Sequence, residues 1–121
     1  MKKILVIDDD PAFRDIIKAG LETAHYEVSL AASGEVGLQK MSKSIPDAIL
    51  LDIKMPGMNG LEFLTEINKK FGEGKIPIII TSNLSSMDTI SDGIALGIRG
   101  YILKSNESIQ GILESVERFL K

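Results

Sequence analysis

Residues 3–11 read KILVIDDDP, a short apolar run followed by three aspartates and a proline. Four consecutive aliphatic residues predict a strand that is buried on both faces of a sheet. Asp10 can cap a helix whose first position is Pro11, because aspartate accepts from free backbone N–H groups and proline is favoured at that position. The segment therefore predicts a strand that passes directly into a helix, which is the repeating unit of a parallel sheet.

The same unit recurs along the chain. Further strands are predicted near residues 27–31, 48–52, 78–80 and 101–103. We expect the helices that follow to begin at Ser33, at Asn59 in a capping box with Glu62, at Ser85 or Asp88, and at Ser105 or Asn106. Five such units predict one α/β domain over residues 1–121, with a doubly wound parallel sheet and a ligand site at its carboxyl edge.

Apolar residues at helical spacing predict the face that each helix packs against the sheet. These faces comprise Phe13, Ile16, Ile17 and Leu21 in the first helix, Leu61, Leu64 and Ile67 in the third, and Ile109, Ile112, Leu113, Val116 and Phe119 in the last.

Composition excludes several classes of protein. The net charge of -3 argues against a nucleic-acid surface, which usually needs a basic patch. The chain has no cysteine, so thiolate zinc sites and disulfides are excluded. The apolar run at residues 4–7 is too short for a signal peptide, and no stretch is long enough to span a membrane. We expect a cytoplasmic protein that binds neither nucleic acid nor membrane.

Charged residues stand where three of the predicted strands end. They are the pair Asp8 and Asp9, then Asp52, then Lys104. Because the ends of parallel strands converge on one edge, these side chains are predicted to share a pocket. Three close carboxylates raise one another's pKa, so a proton or a hard cation must belong to the site. Oxygen ligands without histidine or cysteine favour Mg²⁺, with Mn²⁺ as an alternative, and the backbone carbonyl of Lys54 is a further candidate ligand.

Each of these residues also has a simpler interpretation. An aspartate after a strand is often a turn residue or a helix cap, and a lysine is most often on the surface. Ser82, at the end of the fourth strand, is equally a common turn former. Together, however, a metal site, a carboxylate, an ammonium and a hydroxyl describe phosphoryl transfer, in which a carboxylate can attack phosphorus. The chain has no GxxxxGK[ST] segment, so a nucleotide is not the obvious donor.

Four motifs resemble the receiver domain of bacterial two-component response regulators over essentially the whole chain. They are ILVIDDDP at residues 4–11, LLDIKMPGMNG at 50–60, PIIITS at 77–82 and GYILK at 100–104. The resemblance implies a flavodoxin-like fold with strand order 2-1-3-4-5, and a phosphoacceptor rather than a turnover enzyme. It also implies a histidine kinase or a histidine phosphotransfer protein as the donor.

The resemblance assigns a role to each site residue. Asp52 would accept the phosphoryl group, Asp9 would bind Mg²⁺ directly and Asp8 would act through water. Ser82, chosen over Thr81 by its spacing from Asp52, would follow the phosphoryl group, and Lys104 would bind it. Tyr101 would be the aromatic switch that alters the face formed by the fourth helix, fifth strand and fifth helix. A phosphorylation-dependent homodimer through that face is a further expectation.

Two residues depart from the family pattern. Ser105 follows Lys104 where the family usually has a proline with a cis peptide bond. A cis peptide bond before serine would cost several kcal/mol. Asn83 replaces a small residue beside Ser82 and could narrow access to Asp52. These departures leave open a degenerate receiver that acts only as a binding module. A phosphatase is a weaker alternative, because Lys54 stands where such enzymes place a second acid.

Overall fold

The computed structural model describes residues 1–83 and 87–120. The strands are β1 Lys3–Ile7, β2 Glu27–Ala31, β3 Ala48–Asp52, β4 Ile78–Ser82 and β5 Gly100–Leu103. The helices are α1 Pro11–Thr23, α2 Gly34–Met41, α3 Gly60–Phe71, α4 Met87–Ala95 and α5 Ile109–Leu120, with a 3₁₀ turn at Lys104–Asn106. All strand pairs are parallel, in the order β2-β1-β3-β4-β5, which confirms the predicted fold.

The sheet is covered on both faces, as the doubly apolar strands predicted. Side chains of β1 alternate between the two layers: Leu5 and Ile7 pack with α2 and α3, whereas Ile4 and Val6 pack with α1 and α5. Every residue of β3 and β4 is buried. Because burying one such aliphatic side chain stabilises a fold by roughly 1.5–3 kcal/mol, these two central strands anchor the edge on which the charged residues lie.

Most predicted helix starts are confirmed. Asp10 accepts from the backbone N–H of Ala12, and Asn59 and Glu62 form the reciprocal capping box. Of the two candidates for the start of α4, Ser85 lies outside the described residues, and Asp88 is the second residue of the helix, which begins at Met87. The prediction for α5 was wrong: Ser105 and Asn106 belong to the 3₁₀ turn, and the hydroxyl of Ser108 accepts from the N–H of Gly111 at the start of α5.

The predicted apolar faces are correct with three exceptions. Leu61 of α3 is only half-buried and is not among the described side chains that pack into either hydrophobic layer. Ile16 is 49% exposed, because the buried face of α1 is narrower than the apolar stripe and is completed by Phe13, Ile17 and Leu21. Phe63 of α3, which lies outside the predicted apolar face, is fully buried against α2. Within the described residues, no helix combines the length and the apolar composition that crossing a bilayer requires.

Candidate phosphoacceptor site

A cleft of about 320 Å³ lies at the carboxyl edge of the sheet. Its walls come from the residues that end or follow β1, β3, β4 and β5. They are Asp8, Asp9, Asp10, Asp52, Lys54, Ser82, Asn83 and Lys104. The parallel sheet therefore brings together Asp8, Asp9, Asp52, Ser82 and Lys104, as expected from their positions in the sequence.

Asp8 is fully buried and is held through both carboxylate oxygens. One oxygen accepts from the backbone N–H of Asp10 at 2.9 Å, which links the turn after β1 to the cap of α1. The other oxygen accepts from the ammonium of Lys104. These contacts fix the orientation of Asp8 at the floor of the cleft, whereas Asp9 is exposed at its mouth.

Asp52 is 7% exposed, and its environment disfavours the ionised form. Burial raises the pKa of its carboxyl from 3.8 to about 6, and the negative charges of Asp8 and Asp9 act in the same direction. Lys104, whose Nζ lies 3.9 Å from Oδ2 of Asp52, and a hydrogen bond from the backbone of Lys54 lower that pKa in part. Asp52 is therefore ionised at neutral pH, but at a cost.

The three carboxylates can present one oxygen each within 4.8 Å of one another. This donor set is entirely oxygen, it contains no imidazole or thiolate, and one member is exposed to solvent. Such a set fits a hard divalent cation that keeps part of its water shell, as Mg²⁺ does, and Mn²⁺ accepts the same ligands. The carboxylates therefore fit the predicted cation site, while the role of the Lys54 carbonyl stays a prediction.

The two predicted switch residues lie in different places. Ser82 is buried and lines the cleft beside Asn83. Tyr101 is half-buried on β5, where it lines a separate groove with Ser115, Arg118 and Phe119 of α5. The structure thus places Ser82 next to the carboxylates and Tyr101 on the face towards α5, and their switching role stays a prediction.

Three residues outside the predicted set support the site. The guanidinium of Arg14 donates to the backbone carbonyl of Asp8, and the ring of Phe13 lies 4.2 Å from the Nζ of Lys104. Gly60 donates to the carbonyl of Ile53 at 2.8 Å, and a Cβ at Gly60 would collide with the backbone of Asp52 and Ile53. The position of the first two on the opening turn of α1, directly after the aspartates, was the available signal.

The segment after β5 has a compact turn where the family usually has a proline. Lys104, Ser105 and Asn106 form the 3₁₀ turn, and the described residues contain no cis peptide bond. The trans arrangement expected for serine is therefore confirmed. Lys104 still reaches the cleft from the first position of this turn.

A family model for the response regulator receiver domain matches residues 4–117. The chain belongs to this family. The receiver domain is the phosphoacceptor signalling module of two-component systems, and response regulators pair with histidine kinases. The structure of this chain is similar to that of chemotaxis protein CheY4 of Vibrio cholerae, with a TM-score of 0.90, 30% identity and 98% of each chain covered.

Two further relatives extend the comparison. Response regulator protein TrrA of Thermotoga maritima, solved in complex with Mg²⁺ and BeF, matches the receiver with a TM-score of 0.84 and 34% identity, covering 98% of this chain and 99% of that one. The nitrate/nitrite response regulator protein NarL of Escherichia coli is 38% identical over 106 residues, which is 86% of this chain and 48% of NarL. The receiver thus spans about half the length of this curated relative.

Proposed function

We propose that residues 1–121 form a phosphoacceptor domain in which Asp52 accepts a phosphoryl group from a phosphohistidine on a partner protein. One observation carries the proposal: the Asp52 carboxylate lies at the end of a buried central strand, within reach of two further carboxylates and 3.9 Å from an ammonium. A carboxylate in this setting can act as a nucleophile, while the ammonium balances charge on the phosphoryl oxygens.

The transfer step requires an ionised Asp52. Its oxygen attacks phosphorus, an O–P bond forms, and the N–P bond breaks with its electron pair remaining on the histidine nitrogen. A pKa of about 6 leaves most Asp52 side chains ionised at pH 7 and above. Lys104 would bind an equatorial oxygen of the transferred group, and the Ser82 hydroxyl, in the wall of the same cleft, would be a second contact.

We infer that Asp8, Asp9, Asp52 and the Lys54 carbonyl hold Mg²⁺, for which Mn²⁺ can substitute. The cation supplies charge neutralisation for the carboxylates and the phosphoryl oxygens. Asp9, exposed at the cleft mouth, is suited to direct coordination, whereas Asp8 already binds Asp10 and Lys104 and is suited to contact through water. A two-carboxylate site with retained water is typical of Mg²⁺.

We infer that the phosphorylated state is read on the face formed by α4, β5 and α5. Ser82 would follow the phosphoryl group and Tyr101 would turn inward, which would change a packed, two-state element rather than a single contact. A homodimer through this face and the partner histidine kinase or phosphotransfer protein belong to the same proposal. The cytoplasmic location and the absence of nucleic-acid and membrane binding stay predictions.

The exposed side chain of Lys54 supports an acceptor over a phosphatase. A phosphatase of this type needs a second acid two positions after the nucleophile, to protonate the leaving group and activate water. That position is Lys54, so the obvious catalyst of acyl phosphate hydrolysis is missing. We therefore propose slow loss of the phosphoryl group rather than enzymatic turnover.

Transfer of labelled phosphate tests the acceptor assignment. With Mg²⁺ present, the wild-type chain should take up label from a phosphorylated histidine kinase or from acetyl phosphate, and Asp52→Asn should take up none. Asp47→Asn is a matched control, because Asp47 lies just before the opposite end of β3 and binds the N–H of Lys3 there. Persistent labelling of Asp52→Asn would refute the assignment. A wild-type chain that accepts label from neither donor would instead identify a binding module.

A further inference from the structure

We propose that Phe13 is a positioning residue that holds the ammonium of Lys104 at the phosphoacceptor cleft through a cation–π contact. The proposal rests on the function proposed above for Lys104, and it assigns a role to a residue of α1 that lies outside the charged cluster. A side-chain contact thereby holds Lys104 in place. The residue that follows it is Ser105, where the family usually has a proline.

The contact has the geometry and the burial that make such interactions strong. The Nζ of Lys104 lies 4.2 Å from the centroid of the Phe13 ring. The Lys104 side chain is 12% exposed and Phe13 is 9% exposed, so both groups are largely shielded from solvent. Cation–π attraction increases when the pair is desolvated, and distances below about 6 Å are effective.

Lys104 needs an anchor that does not compete with its ligand. The Lys104 side chain has several rotatable bonds, so its ammonium can take many positions. Lys104 is also the first residue of a 3₁₀ turn whose next two residues are exposed. Asp8 binds the ammonium, but a carboxylate opposes the approach of a phosphoryl group and is itself a candidate metal ligand. The neutral ring attracts the ammonium in either case, so it can keep Lys104 at the cleft when Asp8 exchanges its partner.

The place from which Phe13 contacts the Lys104 ammonium supports this role. Phe13 is the third residue of α1, and the preceding turn carries Asp8 and Asp9. Asp8 and the ring both contact the ammonium, and Asp52 lies 3.9 Å from it. Leucine would fill most of the same volume and stay apolar, but it lacks the negative π face that attracts a cation. The proposal therefore distinguishes Phe13→Leu from Phe13→Tyr.

A double-mutant cycle tests the positioning role. Phe13→Leu should lower the rate of phosphorylation by acetyl phosphate with Mg²⁺ by about twofold to thirtyfold, the range expected for loss of one such contact. Phe13→Tyr should restore most of the rate. In a Lys104→Ala background, Phe13→Leu should change the rate no further. An equal loss in both backgrounds, or no loss in either, would overturn the proposal.

A second measurement does not depend on phosphorylation. In the resting protein without Mg²⁺, the ε-methylene protons of Lys104 should resonate upfield in NMR spectra because they lie near the face of the ring. The shift should disappear in Phe13→Leu and persist in Phe13→Tyr, with thermal unfolding used to verify that both variants fold. Random-coil shifts in the wild type would refute the contact. A shifted signal in a chain that takes up no label would refute the acceptor function alone.

Discussion

At the scale of single residues, the site is held in an electrostatically unfavourable state. Asp52 is buried beside Asp8 and Asp9, and the ammonium of Lys104, which offsets their charge, is bound to Asp8 rather than shared equally. Burying a carboxylate without full compensation destabilises the folded state when the group is ionised. Asp52 is therefore a local source of instability that a bound cation would relieve.

Asp52→Asn should stabilise the resting protein, and the gain should depend on pH. Below pH 3.8 the carboxyl is protonated in both states, so the substitution gains little. Between pH 3.8 and about 6 the carboxyl ionises in the unfolded state but not yet in the folded state, so the unfolding free energy of the wild type falls as pH rises. Above about pH 6 the carboxyl is ionised in both states, and the difference between the two proteins is constant. We expect a gain of roughly 1–3 kcal/mol at pH 8 in the unfolding free energy.

Urea unfolding in EDTA at pH 4 and pH 8 measures this difference. Asp47→Asn is again the control, because its exposed carboxylate lies at the other end of the strand. A stability gain of the same size at both pH values would show that Asp52 is not the source of the pH dependence.

At the scale of elements, the two ends of α1 have different roles: the first turn contacts the site and the last turn ends the helix. Its first turn carries the cap, the ring under Lys104 and the guanidinium on Asp8, so it belongs to the site. Its last turn closes with hydrogen bonds from Tyr26 to Leu21 and from His25 to Glu22, which satisfy carbonyls that a helix end leaves free. This closure places His25 at φ 70, in the left-handed region.

His25→Gly should stabilise the fold without affecting the site. Glycine adopts this conformation without the steric cost that a Cβ carries, although it also loses more entropy on folding. The net gain should be about 0.5–1 kcal/mol, measured as a higher urea midpoint with an unchanged slope. Ala24→Gly, at φ -84 one residue earlier, should destabilise instead. A loss of stability in His25→Gly would show that the histidine side chain contributes more than the backbone conformation costs.

At the scale of the whole molecule, the sheet brings together charges that are far apart in the chain. Lys104 and Asp8 are 96 positions apart, yet they meet because β5 and β1 end at the same edge of one parallel sheet. Two hydrophobic layers hold that edge in place, so binding at the cleft acts on the global folding equilibrium.

Mg²⁺ should therefore raise the melting temperature of the whole domain. At a free concentration ten times its dissociation constant, the cation adds about 1.4 kcal/mol, which corresponds to roughly 5 °C for a domain of this size. Differential scanning fluorimetry at pH 8 should show this shift, and Mn²⁺ should give one as well. At pH 5 the shift should shrink, because a proton on Asp52 competes with the cation.

Asp9→Asn separates specific binding from ionic strength. It removes the exposed carboxylate of the cluster, so it should lose most of the shift while keeping the fold. Sodium chloride at matched ionic strength is the second reference. An equal shift with both salts would rule out a cation site at these residues.

The sequence by itself determined the succession of strands and helices along the chain and the burial of both sheet faces. It also determined the edge of the sheet at which five side chains meet: Asp8, Asp9, Asp52, Ser82 and Lys104. These properties follow from apolar periodicity and from residues at strand ends, which are local features of a chain. Its motifs also indicated the family to which the chain belongs.

Only the tertiary structure decided which groups pair within the cleft. The bond from Lys104 to Asp8, the Phe13 ring beside that lysine and the raised pKa of Asp52 depend on distances between separate elements. The exposure of Ile16 and the cap at Ser108 are decided in the same way. Periodicity assigns a residue to a face or to a strand end, but charge interactions and packing depend on ångström-scale separations that only the folded chain sets.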